Sequence, residues 1–280
     1  MTAQTISFEH TIVDERQPGR LGRVATLMYG LFCYATFPAT ILYAIGFVGN
    51  WFVPKSIDSG VAGPVGAALL INAGLLSIFV VQHTIMARPA FKHWWTRIVP
   101  KPVERSTFVL ASSASLGLIF WQWRPLSQVV WSVSGPLATA LSVLSLIGWL
   151  IAVAASFTIS HLDLFGVRQT WLQFRNRPYA PVGFRLAGLY RLVRHPLMLG
   201  FLIAFWATPT MTVGHLCFAV LTTGYILFGT WIEERDLIAE HGEQYLSYKR
   251  QVGGLLPLPK RTPTSVRERS YTSAIMEGTR

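Results

Sequence analysis

Apolar residues in this chain gather in long unbroken blocks instead of alternating with polar ones. Six blocks can be drawn, roughly at 24–48, 63–84, 106–122, 136–158, 197–212 and 215–232. Each is near the length of about 17–25 residues with which a helix crosses a bilayer, the fifth being the shortest. Lipid accepts only helices or closed barrels, because backbone groups find no water there, and the alternation of a barrel strand is missing. The pattern predicts an all-α fold, a polytopic membrane helical bundle of about six spans. Only Thr208 to Gly214 separates the last two blocks, which predicts a tight helical hairpin.

Composition agrees. Of 280 residues 51% are hydrophobic and only 13% charged, which excludes a disordered chain and argues against a soluble one. A net charge of +11 could mark a nucleic-acid surface, a lipid-binding face or a topological bias. Distribution decides among these. Arg16, Arg20 and Arg23 precede the first block, while Arg88, Lys92, Arg97, Lys101 and Arg105 follow the second. Arg168, Arg175, Arg177, Arg185, Arg191 and Arg194 follow the fourth, and Lys249, Arg250, Lys260 and Arg261 the sixth. The other loops hold little more than Lys55 and Arg124. By the positive-inside rule both termini are cytoplasmic, and no nucleic acid partner is expected. The expected location is the cell membrane, as a multi-pass protein. The oligomeric state is left open.

Residues 1–258 read as a single integral-membrane domain and 259–280 as a flexible polar tail. The polar amino-terminal stretch lacks the short apolar run and small-residue site of a removable signal peptide. Cys33 and Cys217 lie far apart inside apolar blocks, so both are expected to be packing residues, with no disulfide and no metal site. The connection 159–196 is too long for a simple link, and its aromatics Phe165, Trp171, Phe174, Tyr179, Phe184 and Tyr190 predict order.

Titratable side chains near span ends collect on the basic side: His83, then His161 and Asp163, then Arg194 and His195, then Glu233 and Glu234. Ionisable groups at membrane depth are functional candidates, although any one of them could equally be a solvated interfacial residue. Pro196 suits the first turn of a helix, and the free amides there, with Arg194 and His195, make a receptor for an anion. Alternatively, Arg-His-Pro is a plain basic flank before a helix start. A hairpin that brings Arg194, His195 and a Glu together could hold a zwitterion.

Arg194-His195-Pro196-Leu197-Met198-Leu199-Gly200, then Glu233-Glu234-Arg235-Asp236-Leu237, then Tyr245 and Tyr248 resemble the carboxy-terminal signature of integral-membrane methyltransferases. That superfamily includes the isoprenylcysteine carboxyl and phospholipid methyltransferases. Further elements resemble the bacterial methanethiol S-methyltransferases: Phe47-Val48-Gly49-Asn50, Gln82-His83-Thr84, Glu104-Arg105-Ser106-Thr107, Trp121-Gln122-Trp123-Arg124-Pro125 and His161-Leu162-Asp163-Leu164-Phe165-Gly166.

The resemblance implies transfer of a methyl group from the cofactor S-adenosylmethionine to a small volatile thiol, giving dimethyl sulfide. It implies a cofactor-binding part at about 159–250 and a site opening to the cytoplasm of a bacterial inner membrane. Tyr190, Arg194, His195, Pro196, Leu197, Gly200, Glu233, Glu234, Tyr245 and Tyr248 would bind the cofactor. His83 and His161 are the candidate bases, with Asp163 to fix the tautomer of either; Gln82, Arg88, Glu104 and Arg105 would shape the acceptor side or tie the bundle together. Lipid or prenylcysteine acceptors remain open, as does a non-enzymatic haem-binding or transport protein in which His83 and His161 face one another. A reporter fused near Lys55 or Met211 should lie outside the cytoplasm; a cytoplasmic signal there overturns the topology.

Overall fold

The computed structural model describes residues 18–183 and 186–257, and Arg16, Phe184, Arg185, Lys260, Arg261 and the tail expected from 259 onward lie outside the described residues. Among the described residues four helices are long and apolar enough to cross a membrane: α1 (Arg20–Gly49), α2 (Val65–Ala87), α5 (Gly135–Ile159) and α9 (Val213–His241). The short α3 (Pro89–Trp95) follows α2, and α4 (Lys101–Gln122) has the length to cross but opens on Lys101, Glu104 and Arg105. The long connection is ordered as α6 (His161–Leu164), α7 (Val167–Phe174) and a 3₁₀ turn, Gly188–Arg191. It leads into α8 (Pro196–Trp206), and α10 (Glu243–Gln251) follows α9.

The fifth block differs from expectation. Helix ends at Trp206, so α8 has 11 residues and a length of about 16 Å, half of the roughly 30 Å hydrocarbon layer. Pro209 lacks an amide proton and disfavours helix at Thr208 before it, and the β-branched Thr210 and Thr212 continue extended. They form β2 (Thr210–Thr212), which pairs antiparallel with β1 (Val129–Ser132), a small sheet in a chain expected to be all helix. Pairing satisfies backbone groups that lipid would leave bare. Trp131 Nε1 adds a bond to Thr208 O at 3.2 Å.

The helix α8 packs mainly on α5 and less on α9, its expected hairpin partner. Small residues explain this: Gly148 and Ala152 of α5 meet Gly200 and Ala204 of α8, and Ser145 Oγ donates to Ala204 O at 2.9 Å. Such stripes let helices in lipid approach closely, where dispersion and weak polar contacts replace a hydrophobic drive. Elsewhere α4 packs between α1 and α2, α7 lies on α1, and α9 meets α2.

The buried core sits at the end away from most Lys and Arg, here the far end, where Phe47, Ile119, Phe120, Trp123, Trp149 and Phe218 interlock. Polar groups beside it are drawn into local bonds: Trp123 Nε1 donates to Ile57 O at 3.1 Å, and Asn72 bonds both the amide and the carbonyl of Arg124. A rigid far end leaves the titratable groups of the basic end on the continuations of well-held helices. A Cβ on Gly200 would lie 2.5 Å from Gly148 O and 2.6 Å from the Ala152 amide. Gly200→Ala should therefore destabilise the protein in detergent by about 1–3 kcal/mol, whereas Gly224→Ala, with nothing within 4 Å, should not. Melting temperatures of the two variants check this.

Candidate functional site

The helix α8 starts at Pro196, whose fixed φ suits a first turn, with His195 as the preceding cap. The amides of Arg194 and His195 do not enter that helix. They donate to Gly253 O at 2.8 Å and Gly254 O at 3.1 Å, strapping the chain after α10 onto the start of α8. Side chains repeat the connection. Arg194 Nη2 lies 2.6 Å and Nε 2.7 Å from Glu234 Oε1, while Nη1 donates to the carbonyls of Lys249 and Val252. His195 Nε2 approaches the same Oε1 at 3.1 Å, and Lys249 Nζ reaches Oε2 at 2.6 Å.

Glu234 thus binds three basic side chains from the start of α8 and from α10. Among the described residues Glu233 is engaged at its Oε2, 3.4 Å from His195 Nδ1, and half of its side chain (50%) is exposed. Burial alone would lower the His195 pKa, but Glu233 and Glu234 outweigh it and hold the imidazole above its ordinary 6.5. Tyr245 and Tyr248 are buried against each other on α10, and Tyr248 donates to Tyr190 O at 2.6 Å. Burial raises the Tyr248 phenol to about 12 and raises Tyr190 as well. Leu197 lies half-buried in the first turn of α8, and Gly200 faces α5 one turn later.

The two histidines expected as bases occupy separate niches. His161 caps the interface of α1 and α5: its Nε2 meets Tyr34 OH at 2.9 Å, its Nδ1 meets Ser156 Oγ at 2.8 Å, and Phe157 stacks on its ring at 3.9 Å. Burial pushes its pKa below 6.5. His83 lies between α2, α4 and α9, with Nδ1 2.9 Å from Tyr225 OH and the rings of Phe79 and Phe108 at 5.3 and 4.9 Å. Asp163, expected to fix the tautomer of either, hydrogen-bonds neither histidine among the described residues. It takes Arg168 Nη1 at 3.0 Å and Tyr179 OH at 3.2 Å, and so organises the connection after α5.

Arg88 Nη1 reaches Asp236 at 2.6 Å, tying the end of α2 to α9. At about 100° per residue Glu234 falls on the opposite face of α9 from Tyr225, whereas Glu233 projects only about 80° from it. The described structure therefore holds an ionic clamp on one face of α9 and a histidine niche on the other, with Glu233 between them. Sequence reasoning missed Tyr225, Tyr34, Ser156 and Lys249. Tyr225 is 142 residues from His83 and Tyr34 is 127 from His161, separations at which no spacing signal exists.

The family model for NnrU protein matches residues 70–240. The methanethiol S-methyltransferase of Mycobacterium tuberculosis is 50% identical over 240 residues, 85% of this chain and 98% of that protein. Methanethiol S-methyltransferase 2 of Bradyrhizobium diazoefficiens is 53% identical over 235 residues, 84% of this chain and 91% of that protein. Nurim of Bos taurus is 29% identical over 178 residues, 60% of this chain and 68% of its own. No solved structure matches. Matched over more than half its length by the one and about half identical to the others, the chain belongs to the NnrU protein family and to the methanethiol S-methyltransferases, a family of methyltransferase enzymes.

Proposed function

We propose that the protein transfers a methyl group from S-adenosylmethionine to methanethiol, releasing dimethyl sulfide and S-adenosylhomocysteine. The near full-length likeness to methanethiol S-methyltransferases carries this reading. The donor set at the basic end suits the methyl donor. Glu233, with half its side chain exposed, offers an acceptor for an ammonium group or ribose hydroxyls. His195 and the first free amides of α8, at Leu197 and Met198, suit a carboxylate.

Arg194 and Glu234 act by holding these groups in place, since each is already engaged with the other. Tyr190, Tyr245 and Tyr248 line the same clamp, with Pro196 and Gly200 setting the direction and depth of α8. S-adenosylmethionine supplies a methyl group on a sulfonium, ready for in-line displacement. What the chain must add is alignment and a proton acceptor, because a thiol with a pKa near about 8.5 is mostly protonated at neutral pH.

Of the two histidines, His83 suits the base. Both nitrogens of His161 are occupied, while Nε2 of His83 has no hydrogen bond among the described residues. In this reading the basic end faces the cytoplasm, as do both termini, and the bundle completes six crossings with α4 and with α8 continued by the extended 207–212 segment. The charged donor then arrives from water and the volatile thiol through the apolar bundle.

Purified protein given S-adenosylmethionine and methanethiol should release dimethyl sulfide into the headspace, with longer thiols and a prenylcysteine as poorer acceptors. Release of no sulfide by protein that binds the donor overturns the acceptor assignment. Arg194→Ala or Glu234→Ala should abolish donor binding and, by baring a buried charge, cost about 3–5 kcal/mol of stability. Glu233→Gln should weaken binding about tenfold, roughly 1.4 kcal/mol, with a smaller loss of melting temperature than Glu234→Ala. His83→Gln should bind the donor normally but turn over about a hundredfold more slowly. Unchanged turnover in all four would sink the site.

The clamp should also respond to pH. His195 has a raised pKa when folded, so its ionic contribution is complete below about 6.5 and is lost as pH rises through the raised value. The melting-temperature advantage of wild type over His195→Gln should therefore shrink as the pH rises above about 6.5. A constant difference would refute the charged clamp.

A further inference from the structure

A neutral imidazole carries one N–H and one lone pair, and what holds one nitrogen decides what the other can do. Tyr225 OH lies 2.9 Å from Nδ1 of His83, joining α9 to α2, and Nε2 makes no hydrogen bond among the described residues. A phenol oxygen can accept from Nδ1–H, and this leaves the Nε2 lone pair available; were the phenol to donate instead, Nε2 would carry the proton and could take none. The ring is enclosed by aromatics from three helices. Phe79 of α2 lies 5.3 Å away, Phe108 of α4 4.9 Å, and Tyr225 of α9 6.2 Å, and Phe79 and Tyr225 meet edge to face at 6.1 Å. Ring faces and edges make favourable contacts with sulfur, and apolar walls suit an alkyl group.

We infer that Tyr225 is a positioning residue that fixes the tautomer of His83, and that the niche of Phe79, Phe108 and Tyr225 receives the methyl acceptor, a small uncharged alkyl thiol. The inference rests on the methyl-transfer reading above. Nε2 takes the thiol proton while the sulfur electron pair forms the new bond to the methyl carbon. The old carbon–sulfur pair stays on the sulfur of the donor, which becomes a neutral sulfide. The positive charge lost from the sulfonium ends on the imidazolium, whose Nδ1–H is held by the Tyr225 oxygen. Phe108 closes the niche from α4 and so limits the length of the alkyl chain.

The test uses full-length protein in detergent micelles, with S-adenosylmethionine and a series of methane-, ethane- and propanethiol. Tyr225→Phe should lower kcat about tenfold while the KM for methanethiol, the donor Kd and the melting temperature stay at wild-type values. A purely structural tyrosine would instead move the melting temperature and donor binding. The double variant Tyr225→Phe/His83→Gln should be no slower than His83→Gln alone, because the two residues act as one unit. Phe108→Ala should raise kcat/KM for propanethiol relative to methanethiol about tenfold. Wild-type kcat in Tyr225→Phe, additive losses in the double variant, or unchanged thiol preference in Phe108→Ala each overturns the inference while leaving the methyltransferase reading intact. Wild-type protein inactive on every thiol overturns that reading and takes this inference with it.

Discussion

The basic end of the molecule depends on one carboxylate. Glu234 is largely shielded from water and takes Arg194, His195 and Lys249 together, so α8, α9 and α10 are joined at a single charged point. Such a cluster is stable only when complete, because each charge removed from water must be repaid by its partners. The backbone strap from Arg194 and His195 to Gly253 and Gly254 holds the same junction without charge. Together they set where α8 begins, and therefore where its free first-turn amides lie.

The far end is built on the opposite principle. Large aromatics and small residues pack there, and Asn72 is drawn into bonds with both the amide and the carbonyl of Arg124. Where the helix of the fifth block stops at Trp206, the two-stranded pairing of β1 and β2 takes over the backbone bonds. The result is a rigid, apolar end and a polar, ion-paired one. The proposed reaction, with a charged donor and a volatile apolar acceptor, would call for that asymmetry.

The paired acids illustrate how adjacent identical residues acquire different tasks. Glu234 is saturated by three cations, whereas Glu233, turned about 100° around the helix, keeps half its surface open. The two histidines separate in the same way. His161 is hydrogen-bonded at both nitrogens and stacked on Phe157, a packing arrangement, while among the described residues His83 is held at one nitrogen. The aromatics Tyr245 and Tyr248, which the resemblance would set against a ligand, are buried and meet edge to face.

The helical membrane class, the boundaries of α1, α2 and α5 to within a few residues, and the grouping of Arg194, His195 and the two acids were legible in the sequence. These follow from hydrophobic run length, from proline at a first helical turn and from the motif order, all local properties of the chain. Which acid pairs, which histidine keeps a free nitrogen, that Asp163 serves Arg168 and Tyr179, and that α8 leans on α5 were decided only by tertiary structure. Each depends on a partner far off in sequence, such as Tyr225 for His83 or Gly148 for Gly200. Distance along the chain carries no information about such contacts, because helix packing, and not spacing, brings their atoms together.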